Sequence, residues 1–414
     1  MRACNLVINS FFSGYSDENT LWKSAEDDDF REVKTANIEI AEQPVCIAFQ
    51  LYKEECPDIK MVNGKVKKLY NDSELIVSPT FYIEKKSKKN SRNLVSGLKL
   101  FKDYSSTLQK NSHYIIDNIA NQENALPLFA YFTTEDIHSI RKFDKEKKNF
   151  KKYPQKPSFG YIESHDCRGL LNCWLKRLLV LKEGHKGEQE IECVRNAIKS
   201  ALGDTGCKII KDLLIQVNDN NVYFLYCDGR EVRSDLLSDG YRRLVSIVID
   251  LAFRCAILNK VKYKEEAHKY THGTVIIDEI DEHLHPELQV RIMNALHQTF
   301  PKLQFIVSTH APLVMSSVEC NENNVVYKLE FKDGKYIHKE LNTYGLDATT
   351  IMDAYMGNIT RDLTVAEKLN SLFTLIDEEK YQDARKELNY LKQSLSNNFP
   401  EFAKAEAILS FMED

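Results

Sequence analysis

Two adjacent carboxylates, Asp278 and Glu279, close a short apolar run, Val275-Ile276-Ile277. A continuous apolar run bounded by polar residues is the pattern of a parallel strand buried on both faces. Open α/β sheets place ligands at the carboxyl ends of such strands. There one carboxylate can hold Mg²⁺ through its water shell while its neighbour orients a water for attack on a phosphoryl group. A second run, Leu303-Gln304-Phe305-Ile306-Val307, ends in Ser308-Thr309-His310. Between the two, Pro286 suits a first helical turn and Pro301 stops the helix. Leu288, Ile292, Met293, Leu296 and Phe300 mark its apolar face. A strand–helix–strand unit with a right-handed crossover brings both strand ends to one edge of the sheet. His310 is therefore expected near Asp278 and Glu279, where it could sense a γ-phosphate.

Upstream, Leu237-Ser238-Asp239-Gly240-Tyr241-Arg242-Arg243 precedes a helix with Leu244, Val248, Leu251, Cys255 and Leu258 along one side. Ser238 suits an N-cap, and the free N–H groups and dipole of a helix start make an anion site. Taken singly, these segments read as an ordinary capped helix and a buried strand ending in two acids. Their order carries more: 40 residues from Ser238 to Asp278, then 32 to His310.

Four strings support a resemblance: Leu-Ser-Asp-Gly-Tyr-Arg-Arg, Ile-Asp-Glu-Ile-Asp-x-His-Leu-His-Pro, Phe-Pro-x-Leu-Gln-Phe-Ile-Val-Ser-Thr-His-Ala-Pro and Asn-Thr-Tyr-Gly-Leu-Asp. They resemble the bacterial predicted ATP-binding proteins of the ABC/SMC type, which are similar to Septu-type defence and overcoming-lysogenization-defect ATPases. The specific motifs cover residues 125 to 350. The resemblance implies a P-loop NTPase-like α/β head with a mostly parallel sheet, an antiparallel β-subdomain and a helical lid insertion. It implies ATP and Mg²⁺, with Leu237, Ser238 and Gly240 forming a signature motif and Asp278 as the metal-binding acid. Glu279 becomes the catalytic base, Leu284-His285-Pro286 the D-loop and His310 the switch histidine. Asp239, Asp281 and His285 join Leu237, Ser238 and Gly240 among the expected nucleotide-binding positions.

The sequence departs from that family at two places. No Gly-x-x-x-x-Gly-Lys-Ser/Thr occurs in the 414 residues, and Gly203-Asp-Thr-Gly206-Cys-Lys208 is two residues short. Ala3 to Phe12 looks like the helix that follows the phosphate loop, and Ser24 to Phe30 like the family's acidic segment. The expectation is an N-terminally truncated head, from a misplaced start codon or a natural loss, that binds nucleotide poorly without the loop's amides and lysine. After the strand at 126–132, Thr133 and Asp136 stand where relatives usually carry glycine and arginine.

The length suits one large α/β domain with inserted elements, and a hydrophobic content of 43% supports a real core. The expected divisions are residues 1–136, the first part of the head with its β-subdomain; 137–205, a lid or arm; 206–345, the lobe carrying the motifs; and 346–414, a helical region. A helix is expected over 1–16. Strands are expected at Ile38–Ile40, Val45–Leu51, Leu75–Val77 and Phe81–Ile83, separated by turns such as Asn63-Gly64. Helices follow at 104–122, 168–182 and 187–202, then a hairpin of Ile209–Val217 with Val222–Cys227, with Asp228-Gly229 as its turn. The last segment shows two apolar helix faces, Ala366, Leu369, Leu372, Phe373 and Ile376, then Ala384, Leu388, Leu391 and Leu395. Pro400 opens a final helix with Ala405, Leu409 and Met412.

A net charge of −5 argues against a protein that coats nucleic acid. Two basic clusters, Lys85 to Arg92 and Arg141 to Lys156, could still contact it, since Phe143, Phe150 and Tyr153 interleave in the second. Such runs are more often solvated loops. Ten cysteines without Cys-x-x-Cys or a Cys/His metal spacing suit a reducing cytosol, and no segment reads as a signal peptide or membrane span. The leading expectation is a cytoplasmic ABC-type ATPase acting as a head-to-tail homodimer. The alternative is a hydrolysis-deficient scaffold that recruits a partner such as a nuclease in phage defence. The tail is too short for a Toprim domain and lacks Asp-x-Asp, so intrinsic nuclease activity is not expected.

Overall fold

The computed structural model describes residues 125–134, 150–332, 335–357, 362–395 and 399–413, six short strands between residues 32 and 83, and Cys4, Asn5 and Ile8. The chain divides into two compact units, Met1–Ser317 and Val318–Asp414.

In the first unit, β1 (Glu32–Thr35) pairs with β2 (Ile38–Ala41), β3 (Val45–Ala48) with β6 (Thr80–Ile83), and β4 (Ile59–Val62) with β5 (Lys65–Lys68). All three pairs are antiparallel, and Asn63-Gly64 falls between β4 and β5. Cys4, Asn5 and Ile8 are helical, as the opening pattern predicts. The expected strand at Leu75–Val77, the helix at 104–122 and the Lys85–Arg92 cluster lie outside the described residues.

The centre is a parallel three-stranded sheet in the order β12 (Leu303–Val307), β11 (Gly273–Ile277), β7 (Leu128–Phe132). Ile277 pairs with both Phe132 and Val307, so all three strands end level at one edge. The β11 residues Val275, Ile276 and Ile277 are fully buried, which is why the run carries no polar alternation.

Helices α1 (Leu171–Glu183), α2 (Glu188–Leu202) and α3 (Asp239–Tyr263) pack with the sheet in a single apolar core. The first two fall in the segment expected to form a lid or arm. Between β11 and β12 runs α4 (Pro286–Thr299), whose Leu288, Ile292 and Leu296 are buried as its spacing predicts. Helix α3 is buried on nearly every side from Leu244 to Leu258. Its charged residues are therefore paired: Arg254 binds both carboxylate oxygens of Asp250, one of which also accepts from Trp174 Nε1 at 2.6 Å. Asn259 clamps the start of β7, accepting from Leu126 N at 2.7 Å and donating to Leu126 O at 2.9 Å.

The hairpin prediction needs correcting. Strand β8 (Ile210–Gln216) does pair antiparallel with β9 (Asn221–Tyr226), but residues 217–220 close it, with Asn220 at φ +54°. Asp228-Gly229 turns β9 into β10 (Glu231–Arg233), with Gly229 at φ +89°. Of the second basic cluster's aromatic residues, Phe143 lies outside the described residues, and Phe150 and Tyr153 are not displayed for stacking. Phe150 is 2% exposed and packs edge-on against Trp174, while Tyr153 lies under Lys260.

The second unit holds a hairpin of β13 (Val326–Lys332) and β14 (Lys335–Leu341), followed by α5 (Leu363–Asp377), α6 (Tyr381–Ser394) and α7 (Pro400–Glu413). Leu369, Leu372, Ile376, Ala384, Leu388, Leu391, Ala405 and Leu409 form its core with Phe402, which the periodicity missed. Met412, expected inside, is exposed.

Candidate functional site at the edge of the parallel sheet

The β11 ladder continues one step past Ile277, since Asp278 N donates to Phe132 O at 2.8 Å. Glu279 then adopts φ +47°, a left-handed conformation that costs an L-residue about 1–2 kcal/mol. The reversal leaves the Glu279 side chain 42% exposed. Its carboxylate lies 3.7 Å from His310 Nε2, and the imidazole is 81% exposed. The expected neighbourhood of Asp278, Glu279 and His310 is therefore present, with the Glu279 carboxylate and the His310 imidazole open to solvent.

Ser308 holds the two acids in different roles. Its Oγ donates to Asp278 Oδ1 and accepts from Glu279 N at 2.9 Å. One hydroxyl thereby orients the carboxylate of the first acid and the backbone of the second. Thr309 Oγ1 donates to Asp281 Oδ1, which also accepts from His310 N at 3.3 Å. Asp281, expected to contact nucleotide, here anchors the segment that carries His310.

The signature-like segment lies on the other side of this loop. Leu237 is buried, Ser238 and Asp239 are exposed, and Gly240 is buried. Ser238 occupies the N-cap of α3 with extended backbone, but its side chain makes no capping hydrogen bond, contrary to expectation. A Cβ at Gly240 would lie 2.4 Å from His283 O, so this glycine gives clearance to the chain's own loop. His285 caps α4, accepting from Glu287 N at 3.4 Å through Nδ1, and Pro286 fills the first helical position.

Arg243 is the main residue whose part the sequence did not disclose. Its guanidinium donates through Nη2 to Asp278 O at 2.7 Å and Glu279 O at 3.0 Å, and through Nη1 to Thr133 O at 3.3 Å. Glu282 lies 3.4 Å away. Burial pulls its pKa down, and Glu282, Asp281, Glu279 and Asp278 pull it back up. Thr133, standing where a glycine is expected, takes part through its carbonyl, a contact any residue type can make. Asp136 lies outside the described residues.

The donor set suits Mg²⁺. Hard carboxylate oxygens of Asp278 and Glu279 stand at the sheet edge. Mg²⁺ favours such sites, bound by one or two carboxylates with waters and substrate phosphates. A cradle of glycine-loop amides for the phosphates is not seen among the described residues. No helix among them is long and apolar enough to cross a membrane.

A family model described as "AAA domain, putative AbiEii toxin, Type IV TA system" matches residues 93–316. The retron Vc95 probable ATPase of Vibrio cholerae serotype O1 biovar El Tor is 35% identical over 145 residues, 35% of this chain and 27% of that protein. The Septu protein PtuA of Bacillus mycoides strain KBAB4 is 33% identical over 120 residues, 29% of this chain and 16% of that protein. The chain thus spans well under half the length of either relative. A solved structure titled "Structural biochemistry of ATP-driven dimerization and DNA stimulated activation of SMC ATPases" aligns over 42% of this chain and 94% of that one. Its identity is 16% and its TM-score 0.30. The family model covers more than half of the chain and takes in Ser238, Gly240, Asp278, Glu279 and His310, and the protein accordingly belongs to this AAA-domain ATPase family.

Proposed function

We propose that the protein is an ABC-type ATPase that closes head to tail as a homodimer around ATP and uses hydrolysis to drive a conformational switch. The observation that carries this reading is the pairing of a solvent-facing Glu279 with His310 at 3.7 Å, directly beside an Asp278 whose carboxylate Ser308 orients.

Asp278 would hold Mg²⁺ through the ion's water shell, using the oxygen that Ser308 does not engage. Bound there, the ion would supply neutralisation of phosphate charge. Glu279 is the general base, accepting a proton from the attacking water through a carboxylate that projects clear of the sheet. A positioned base of this kind is worth about 10²–10⁴ in rate. His310 approaches the same space and responds to the γ-phosphate, and Asp281 keeps its backbone in place through Thr309. The exposed start of α3 at Ser238–Asp239 presents the positive end of the helix dipole to an anion on a second subunit.

The test is Glu279→Gln in the full natural protein. The amide keeps the shape and loses the basicity, so turnover should fall by about 10²-fold or more while ATP stays bound and the dimer accumulates. Wild-type turnover in that variant would remove Glu279 from its role.

A further inference from the structure

We infer that Arg243 is a positioning residue that sets the backbone at Asp278–Glu279 and ties it to the first turn of α3, so that docking at Ser238–Gly240 is felt at the base of the same subunit. This rests on the ATPase reading above.

The guanidinium is 7% exposed and bridges three carbonyls: Thr133 O beyond the end of β7, and Asp278 O and Glu279 O beyond the end of β11. These oxygens lie where the sheet ladder stops and have lost their regular strand partners. A planar fork can serve all three at once, and the compact ammonium of lysine cannot.

The other end of α3 is fixed as well. Asn259 clamps Leu126 at the start of β7, while Arg243 clamps Thr133 at its end. From 243 to 259 the helix rises roughly 24 Å, and from 126 to 133 the strand extends roughly 23 Å. The two lengths match, so α3 lies along β7 as a strut pinned at both ends. A push on its N-terminus cannot be absorbed by sliding.

Two contacts transmit that push into the loop after β11. Arg243 holds its first residues, and Gly240 abuts the carbonyl of His283 farther along. Between these contacts the backbone takes left-handed conformations at Glu279 (φ +47°) and His283 (φ +62°). Non-glycine residues held there keep such conformations only while their surroundings enforce them. Loosening either contact lets Glu279 relax away from its geometry.

The experiment compares Arg243→Lys and Arg243→Gln with wild type in the full natural protein. Two readouts are taken: steady-state ATPase kinetics per folded molecule, and amide hydrogen exchange resolved along the chain. Expected are a fall in kcat of about tenfold or more with KM for ATP within about twofold, no rescue by lysine, and faster exchange at 279–283. Exchange at 250–258 in the middle of α3 should stay at its wild-type rate. An unchanged kcat in Arg243→Gln, or full rescue by lysine, overturns the inference. If the wild-type protein hydrolyses no ATP, the ATPase reading fails, and the exchange arm judges the clamp separately. Unchanged exchange at 279–283 in Arg243→Lys, the milder replacement should Arg243→Gln not fold, then overturns the clamp.

Discussion

Replacing Gly240 by alanine sets two opposed effects against each other. In most helices the change is favourable, because alanine restricts the unfolded chain and gains up to about 1 kcal/mol over glycine. Here the new methyl would lie 2.4 Å from His283 O, nearly 1 Å inside an ordinary carbon–oxygen contact of about 3.3 Å. The obstacle is backbone, so no side-chain rotation relieves it. The loop bearing that carbonyl is held at Leu284 N by Asp281 O, at 3.0 Å, and α3 is pinned at Asn259. Overpacking of this kind costs about 1–3 kcal/mol, centred near 2, and against the helical gain it leaves a net loss of about 1 kcal/mol. Urea denaturation followed by the fluorescence of Trp174, stacked on Phe253 in the core, would measure it. An alanine variant as stable as wild type, or more stable, would refute the close approach of α3 to the loop.

The other expectations are simpler. Ser238→Ala should cost well under the roughly 1 kcal/mol of a lost cap, because the hydroxyl makes no capping bond. Ser238→Arg should still bind ATP yet fail to form an ATP-dependent dimer, and light scattering that shows an unchanged dimer would sink the head-to-tail arrangement. His268 is held near a pKa of about 4, chiefly by burial. Its folded value lies below the ordinary 6.5, so the unfolded chain takes up a proton that the folded one refuses. The stability it protects is complete above about pH 6.5 and is lost as pH falls towards 4, by about 3 kcal/mol. His268→Gln should flatten that part of the stability–pH curve, and an identical slope in the variant would exclude His268 as its source.

The parallel sheet and its edge were readable because burial on both faces writes an unbroken apolar run, and Pro286 and Pro301 mark the ends of the helix between. The meeting of Asp278, Glu279 and His310 followed from topology alone. Other features depend on geometry that residue types do not encode. Ser238 has the right chemistry for a cap and the wrong reach. The β8–β9 turn contains no glycine, so the Asp228-Gly229 signal drew the prediction one hairpin too late. Arg243 acts through three backbone carbonyls, and carbonyls leave no trace in a sequence. Gly240 was legible as important, but its contact with His283 is a matter of packing across forty residues. Phe150 and Tyr153 looked like a stacking surface because spacing cannot tell a displayed ring from one turned inward.

The backbone at Glu279 has a consequence for how this protein can drift. A left-handed residue is one that glycine or asparagine would occupy at lower conformational energy. Folding alone therefore favours losing the glutamate, and the role as base proposed for its carboxylate is the demand that would keep it there. In a lineage released from that demand, the base would be among the first positions to erode, and the fold would grow firmer as it went. On the proposed reading, a glutamate kept at this position marks a site still in use.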